Sequence, residues 1–262
     1  MPKLDDLTSA TLVKTLYIGE SGSGKTGSLA SLAEAGYKLH IIDTDNGLPI
    51  LYNIMKDKAP TKINNVDFMQ IAEEYIATSA GLMVKGTPKA ASQVVNACKK
   101  WEDGTNPSEW GPKHILVLDS LTTISSMFLE WGRALTTVKD GRMGFYAAQE
   151  RLEVLLTLLS QKAFNTNVII IGHAELASDE QNKMRYQIAA IGKALGPKIP
   201  RLFNTLLVAN VTPSKKREII TMPGNVQTVM PKNPAPVQVK PSYSLETGLA
   251  QIFADLTKGN RS

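Results

Sequence analysis

The feature that most constrains this chain is one run of eight residues, Gly19-Glu20-Ser21-Gly22-Ser23-Gly24-Lys25-Thr26. It follows a β-prone run over residues 11–18 and opens a helical pattern of small and apolar residues over 26–35. Strand, glycine loop and helix therefore stand in the order that a phosphate-cradling loop requires. Backbone N–H groups must turn inward around phosphate oxygens, and side chains at Gly19, Gly22 or Gly24 would hinder the torsions or the close approach. Lys25 supplies a point charge for the β and γ phosphates, and Thr26 a hydroxyl for magnesium. The start of the helix, from Thr26 into Gly27, adds its positive dipole end. Glu20, Ser21 and Ser23 complete the loop, whose expected ligand is a nucleoside triphosphate with Mg2+.

The rest of the chain supplies a sheet for that loop. Residues 39–42, 66–71, 114–118 and 168–171 are short apolar runs that read as strands, the last two continuous enough to be covered on both faces. Helical patterns lie between them at 89–101 and 145–164, the second with Leu152, Leu155, Leu156 and Leu159 in helical spacing. Strands alternating with helices predict an α/β fold with a mostly parallel central sheet. Residues 205–211 and 217–221 flank a turn and predict an antiparallel hairpin at the sheet edge. Residues Pro223 to Pro241, which contain five prolines, read as an extended linker. A closing helix places Leu249, Ile252, Phe253 and Leu256 on one face, to dock on its own domain or on a partner protein. The expected organisation is a nucleotide-binding domain over 1–222, a linker over 223–243 and a tail helix over 244–262.

Composition narrows the setting. A chain of 262 residues, 43% hydrophobic, can bury one large core. It holds no run apolar enough to span a bilayer, its first residues lack the core of a signal peptide, and its single cysteine, Cys98, has no internal disulfide partner. A cytoplasmic location and no membrane partner are expected. The net charge of +5 attracts polyanions.

The loop alone does not separate ATPases from GTPases or kinases, so the second acidic site matters. Asp119 ends the run 114–118, expected as a buried strand next to the P-loop strand, where a carboxylate orients water on magnesium, or else caps the next turn.

With these residues in view, the chain resembles the RecA-like recombinase ATPases over residues 12–221, and among them the RecA-like single-strand annealing and recombination ATPases encoded by phages, the Sak-four group. Leu116-Val117-Leu118-Asp119-Ser120 is similar to the family's Walker B strand, and the segment from His40 to Leu48 resembles the one that carries its catalytic carboxylate. The resemblance gives Asp45 the water-activating role, with Asp43 as competitor, although the family has Glu there. It implies a RecA-like P-loop core, ATP and Mg2+ as ligands, and Tyr52, seven residues past Asp45, as a stacking partner for adenine or else a helix-packing residue. It makes His173, at the end of the fifth strand, a sensor of the γ-phosphate. Two segments resemble the family's DNA-binding loops, residues 137–144 with Lys139 and Arg142, and residues 178–186 with Lys183, Arg185 and Tyr186. Lys215, Lys216 and Arg217 occupy the turn from which relatives project a cation toward a neighbour's γ-phosphate, with Lys193, Lys198 and Arg201 as alternatives. The implied function is an ATP-dependent, self-assembling protein, in filament or ring, that binds single-stranded DNA in phage recombination in the host-cell cytoplasm. A helicase or helicase-loader motor, or a nucleotide-switched regulatory module, is the alternative.

Overall fold

The computed structural model describes residues 12–79, 81–135, 141–178, 184–223 and 231–258. In chain order it contains β1 (Lys14–Gly19), α1 (Lys25–Ser28), α2 (Ala30–Glu34), β2 (Lys38–Asp43), α3 (Leu48–Lys58), β3 (Val66–Gln70), β4 (Tyr75–Thr78), β5 (Gly81–Val84), α4 (Ala90–Ala97), β6 (Gly111–Asp119) and α5 (Leu121–Leu135). There follow α6 (Gly141–Ser160), β7 (Thr166–Ser178), β8 (Met184–Ile188), α7 (Gly192–Leu195), α8 (Ile199–Leu202), β9 (Thr205–Val211), β10 (Arg217–Ile220), β11 (Ser242–Ser244) and α9 (Gly248–Thr257).

The main sheet runs β11-β10-β9-β1-β7-β6-β2-β3. From β9 to β3 the pairings are parallel, and β10 and β11 are antiparallel additions. The expected mostly parallel α/β sheet flanked by helices is thus the fold of this chain. Alternation along the strands explains why it needs helices on both faces. Leu116 and Leu118 point into a core shared with α4, α5 and α6, while Ile115 and Val117 point into another shared with α2, α3 and α9.

Several expectations change in detail. Asp119 does not sit beside the P-loop strand, because β7 lies between β1 and β6. The two strands still present their carboxyl ends on one edge, which brings the site together across β7. β9 lies inside the sheet, so the hairpin strand β10 is covered in turn by β11. The proline-rich stretch lies along the sheet over its described part: Lys232 bridges Leu206, and Val239 is buried. The tail helix α9 turns its apolar face onto its own domain, where Phe253 meets Tyr37 edge-on at 5.7 Å and the Tyr243 hydroxyl donates to Asp255 Oδ2 at 2.6 Å. That face is used internally.

Candidate nucleotide site

The phosphate loop turns where its glycines allow it. Gly22 and Gly24 have φ of 75° and 95°, the left-handed region in which a Cβ is disfavoured. Gly19 answers a different demand, since a Cβ there would lie 2.6 Å from the Ala209 carbonyl oxygen of neighbouring β9. Lys25 is buried and curls back, donating to the carbonyls of Gly19 at 2.9 Å and Glu20 at 2.8 Å. Burial lowers its pKa, against the pull of Asp119, Asp45 and Glu20. A buried ammonium held by neutral carbonyls and facing carboxylates is a ready counter-charge for phosphate.

Asp119 ends β6 across from the loop, where Thr26 Oγ1 donates to its Oδ2 at 2.6 Å. Burial pushes the Asp119 carboxyl up to about 6, with Asp45 and Asp43 adding to the rise and the Thr26 bond and Lys25 opposing it. A carboxylate so short of positive charge, paired with a threonine hydroxyl, suits magnesium, which takes few protein ligands and keeps water and phosphate for the rest. Space for it is kept by Gly47, where a Cβ would stand 3.2 Å from Thr26 Oγ1 and 3.5 Å from Asp119 Oδ2. These residues fit the ion. Among the described residues no cluster of three or more His, Cys, Asp and Glu forms another metal site.

The two competing carboxylates separate by their partners. Asp43 is buried and accepts from the backbone N–H groups of Asp45 and Gly47 at 3.2 and 3.1 Å, so its work is to shape the turn. Asp45 reaches into the cleft and accepts from Ser120 Oγ at 2.7 Å and from the Thr123 hydroxyl, with His173 Nε2 at 3.3 Å. Burial works against its ionisation, but the hydrogen bonds from His173, Thr123 and Ser120 outweigh it and hold the carboxyl down at about 2. His173 stands opposite Gly19 in the β1–β7 register. It is not the end of its strand, because β7 continues five residues further and pairs with β8 from Ala174↔Ile188 to Ser178↔Met184.

One cleft of about 740 Å³ gathers Lys25, Thr26, Asp45, Asp119 and His173. Arg217 lines it too. A second cavity of about 590 Å³ adjoins it along α1 and α3, lined by Ile50, Ile54, Lys215, Lys216, Arg217 and Leu245 among others. The basic turn expected to reach a neighbouring copy therefore borders the nucleotide cleft of its own chain. Tyr52 is half exposed on α3 and lines neither cavity, whereas Ile50 and Ile54 of the same helix line the second. Helical spacing explains the difference, since positions 50 and 54 share a face of α3 that position 52 does not.

The two expected DNA loops also change. Lys139 and Lys183 lie outside the described residues. Arg142 is in the first turn of α6, which begins at Gly141 rather than after the glycines. Arg185 and Tyr186 belong to strand β8, which pairs antiparallel with β7, and residues 179–183 of the second segment lie outside the described residues. Sequence reasoning also missed Ser120, Thr123 and Gly47. Thr123 carried a signal, since Leu121, Ile124 and Phe128 mark the start of a helix directly after Asp119.

Residues 11–235 match the family model of the AAA domain. The chain belongs to that family. It is an AAA-type P-loop ATPase domain. A comparison with curated proteins gives no match. Among solved structures, similarity extends to a prototypical ATPase of the type III secretion system of pathogenic bacteria, with 13% identity, TM-score 0.41, and coverage of 76% of this chain and 51% of that one. It extends also to the assembled ATPase EscN with its central stalk EscO from enteropathogenic E. coli, with 11% identity, TM-score 0.46, and coverage of 77% and 42%. The AAA-type chain thus spans about half the length of these structures or less. Among the described residues no helix is long and apolar enough to cross a membrane.

Proposed function

We propose that this AAA-type domain hydrolyses ATP and couples the reaction to single-stranded DNA, as an assembly of copies of the RecA-like phage recombination type. The observation that carries the hydrolytic part is the placement of Asp45, an ionised carboxylate held by Ser120, Thr123 and His173 in the same cleft as Lys25 and the Thr26–Asp119 pair. Thr26 and Asp119 would hold magnesium, which neutralises phosphate charge when bound. Lys25 swings from the loop carbonyls to the phosphates and stabilises charge on the leaving group. Asp45 orients the attacking water. With a pKa of about 2 it is a weak proton acceptor while His173 is on it. A γ-phosphate that draws His173 away removes one of the bonds that hold Asp45 low and so raises its basicity at the moment of need.

The same histidine supports the DNA part. His173 and the arm that bears Arg185 and Tyr186 are parts of one antiparallel hairpin, with Ala189 N donating to the His173 carbonyl at 2.9 Å at its base. A shift of His173 between carboxylate and phosphate is thereby transmitted to a basic and aromatic arm suited to a phosphodiester backbone and a base face. The test is steady-state ATP turnover with and without single-stranded DNA. DNA is expected to raise the rate and Lys25→Ala to abolish it; a wild-type rate indifferent to DNA removes the coupling.

A further inference from the structure

Arg217 opens β10, and its backbone is fixed by pairing with Val211 and by accepting from Leu245 N–H at 3.2 Å. Its side chain lines both the cleft with Lys25 and Asp119 and the adjoining cavity along α1 and α3, which Lys25 does not line. A Cβ at Gly24 would lie 3.7 Å from Arg217 Cδ and Nη1, so the guanidinium passes against the last glycine of the phosphate loop. The carboxylates that form ion pairs among the described residues take other cations, with Glu246 on Lys58, Glu153 on Arg201 and Asp255 on Lys258. A charged fork with no side-chain ion pair or hydrogen bond among the described residues, set beside a phosphate loop, matches phosphate oxygens bidentately.

We infer that Arg217 is a nucleotide-binding residue that acts within its own chain, gripping the phosphates on the nucleoside side of the bound nucleotide. The inference rests on the ATPase reading above and deepens it. A cation reaching in from a neighbour to the γ-phosphate would act only on the triphosphate and on the rate. Arg217 lies where the two cavities join, so it meets phosphates that ADP and ATP share. Binding that is equal in ground and transition states changes KM and leaves kcat in place.

The experiment uses the full chain as Arg217→Ala and Arg217→Lys, with nucleotide titrations of a fluorescent ADP and of a non-hydrolysable ATP analogue, both with magnesium. Loss of a charge-assisted pair is expected to weaken both by about tenfold, with the lysine variant between alanine and wild type. In turnover, KM rises by the same factor and kcat stays within about twofold. Excess Lys25→Ala chains, which carry an intact Arg217, are then added to the Arg217→Ala protein. An unchanged, raised KM supports action within the chain, and a KM restored toward wild type overturns it. Wild-type affinity for both nucleotides in Arg217→Ala also overturns it. Because the titrations need no hydrolysis, they judge Arg217 even if the wild-type protein turns out not to turn ATP over. Thermal melts of both variants check the fold, and Arg217→Lys, which keeps the charge and the strand register, serves should the alanine variant not fold.

Discussion

At the scale of single residues, the cleft divides its labour between groups that hold the nucleotide and one that acts on water. Asp45→Asn keeps the shape and removes the charge, so we expect kcat to fall about a hundredfold or more while nucleotide affinity stays within a few fold. Turnover and a binding titration on the same preparation check this, and a matching loss of affinity would place Asp45 among the holding groups. Gly47→Ala should act on the metal instead. Its Cβ would press on Thr26 and Asp119, so half-maximal turnover should need several times more magnesium, with the nucleotide dependence at saturating metal little altered. Lys25, Thr26 and Asp119 were legible in the sequence because their chemistry is tied to a local pattern of loop, helix and strand end. Ser120 and Thr123 were not read as partners of Asp45, since a hydroxyl becomes a carboxylate's donor only once β2 and β6, whose ends lead into these residues, lie side by side.

At the scale of elements, the end of the sheet opposite the nucleotide holds a cluster that the proposed chemistry does not use. His40 on β2 shares a hydrogen bond of 2.9 Å with His114 on β6 and stacks on Trp110 at 3.9 Å. Burial lowers the His40 pKa to about 4, with His114 and Lys38 adding to the fall and Asp103 opposing it; burial also lowers that of His114. Asp67 stands 3.7 Å from His40 Nδ1, yet it is 62% exposed and its pull is screened by water. A histidine whose pKa is lower folded than unfolded favours folding only while it is neutral. Its contribution is complete above the unfolded value near 6.5 and is lost as pH falls from there toward 4, where the unfolded chain binds the extra proton first. The denaturation midpoint in urea should therefore drop between pH 7 and pH 4.5, and His40→Phe, which keeps the stacking ring, should flatten that slope. A wild-type midpoint that holds steady across this range would show the pair to be silent.

At the scale of the whole molecule, the chain closes on itself more completely than a domain with a linker and a tail would. Tyr243, Phe253 and Leu256 belong to the same core as Tyr17 of the P-loop strand. Phe253→Ala should accordingly cost about 3–5 kcal/mol of stability, measured by chemical denaturation, through the cavity left beside Tyr37. A loss below about 1 kcal/mol would mean that α9 is dispensable to the fold. The tail's apolar spacing was plain in the sequence, but spacing reports that a face will be buried and not against what.

The sequence by itself determined the parallel sheet, because continuous apolar runs alternate with helical patterns, and it determined the phosphate loop and Asp119, because those signals are carried by neighbours along the chain. Only the tertiary structure decided that β7 intervenes between β1 and β6, that Asp45 rather than Asp43 faces the cleft, and that Arg217 borders its own nucleotide site. Each of these depends on contacts between residues tens to nearly two hundred positions apart, and a linear pattern carries no record of which strands become neighbours.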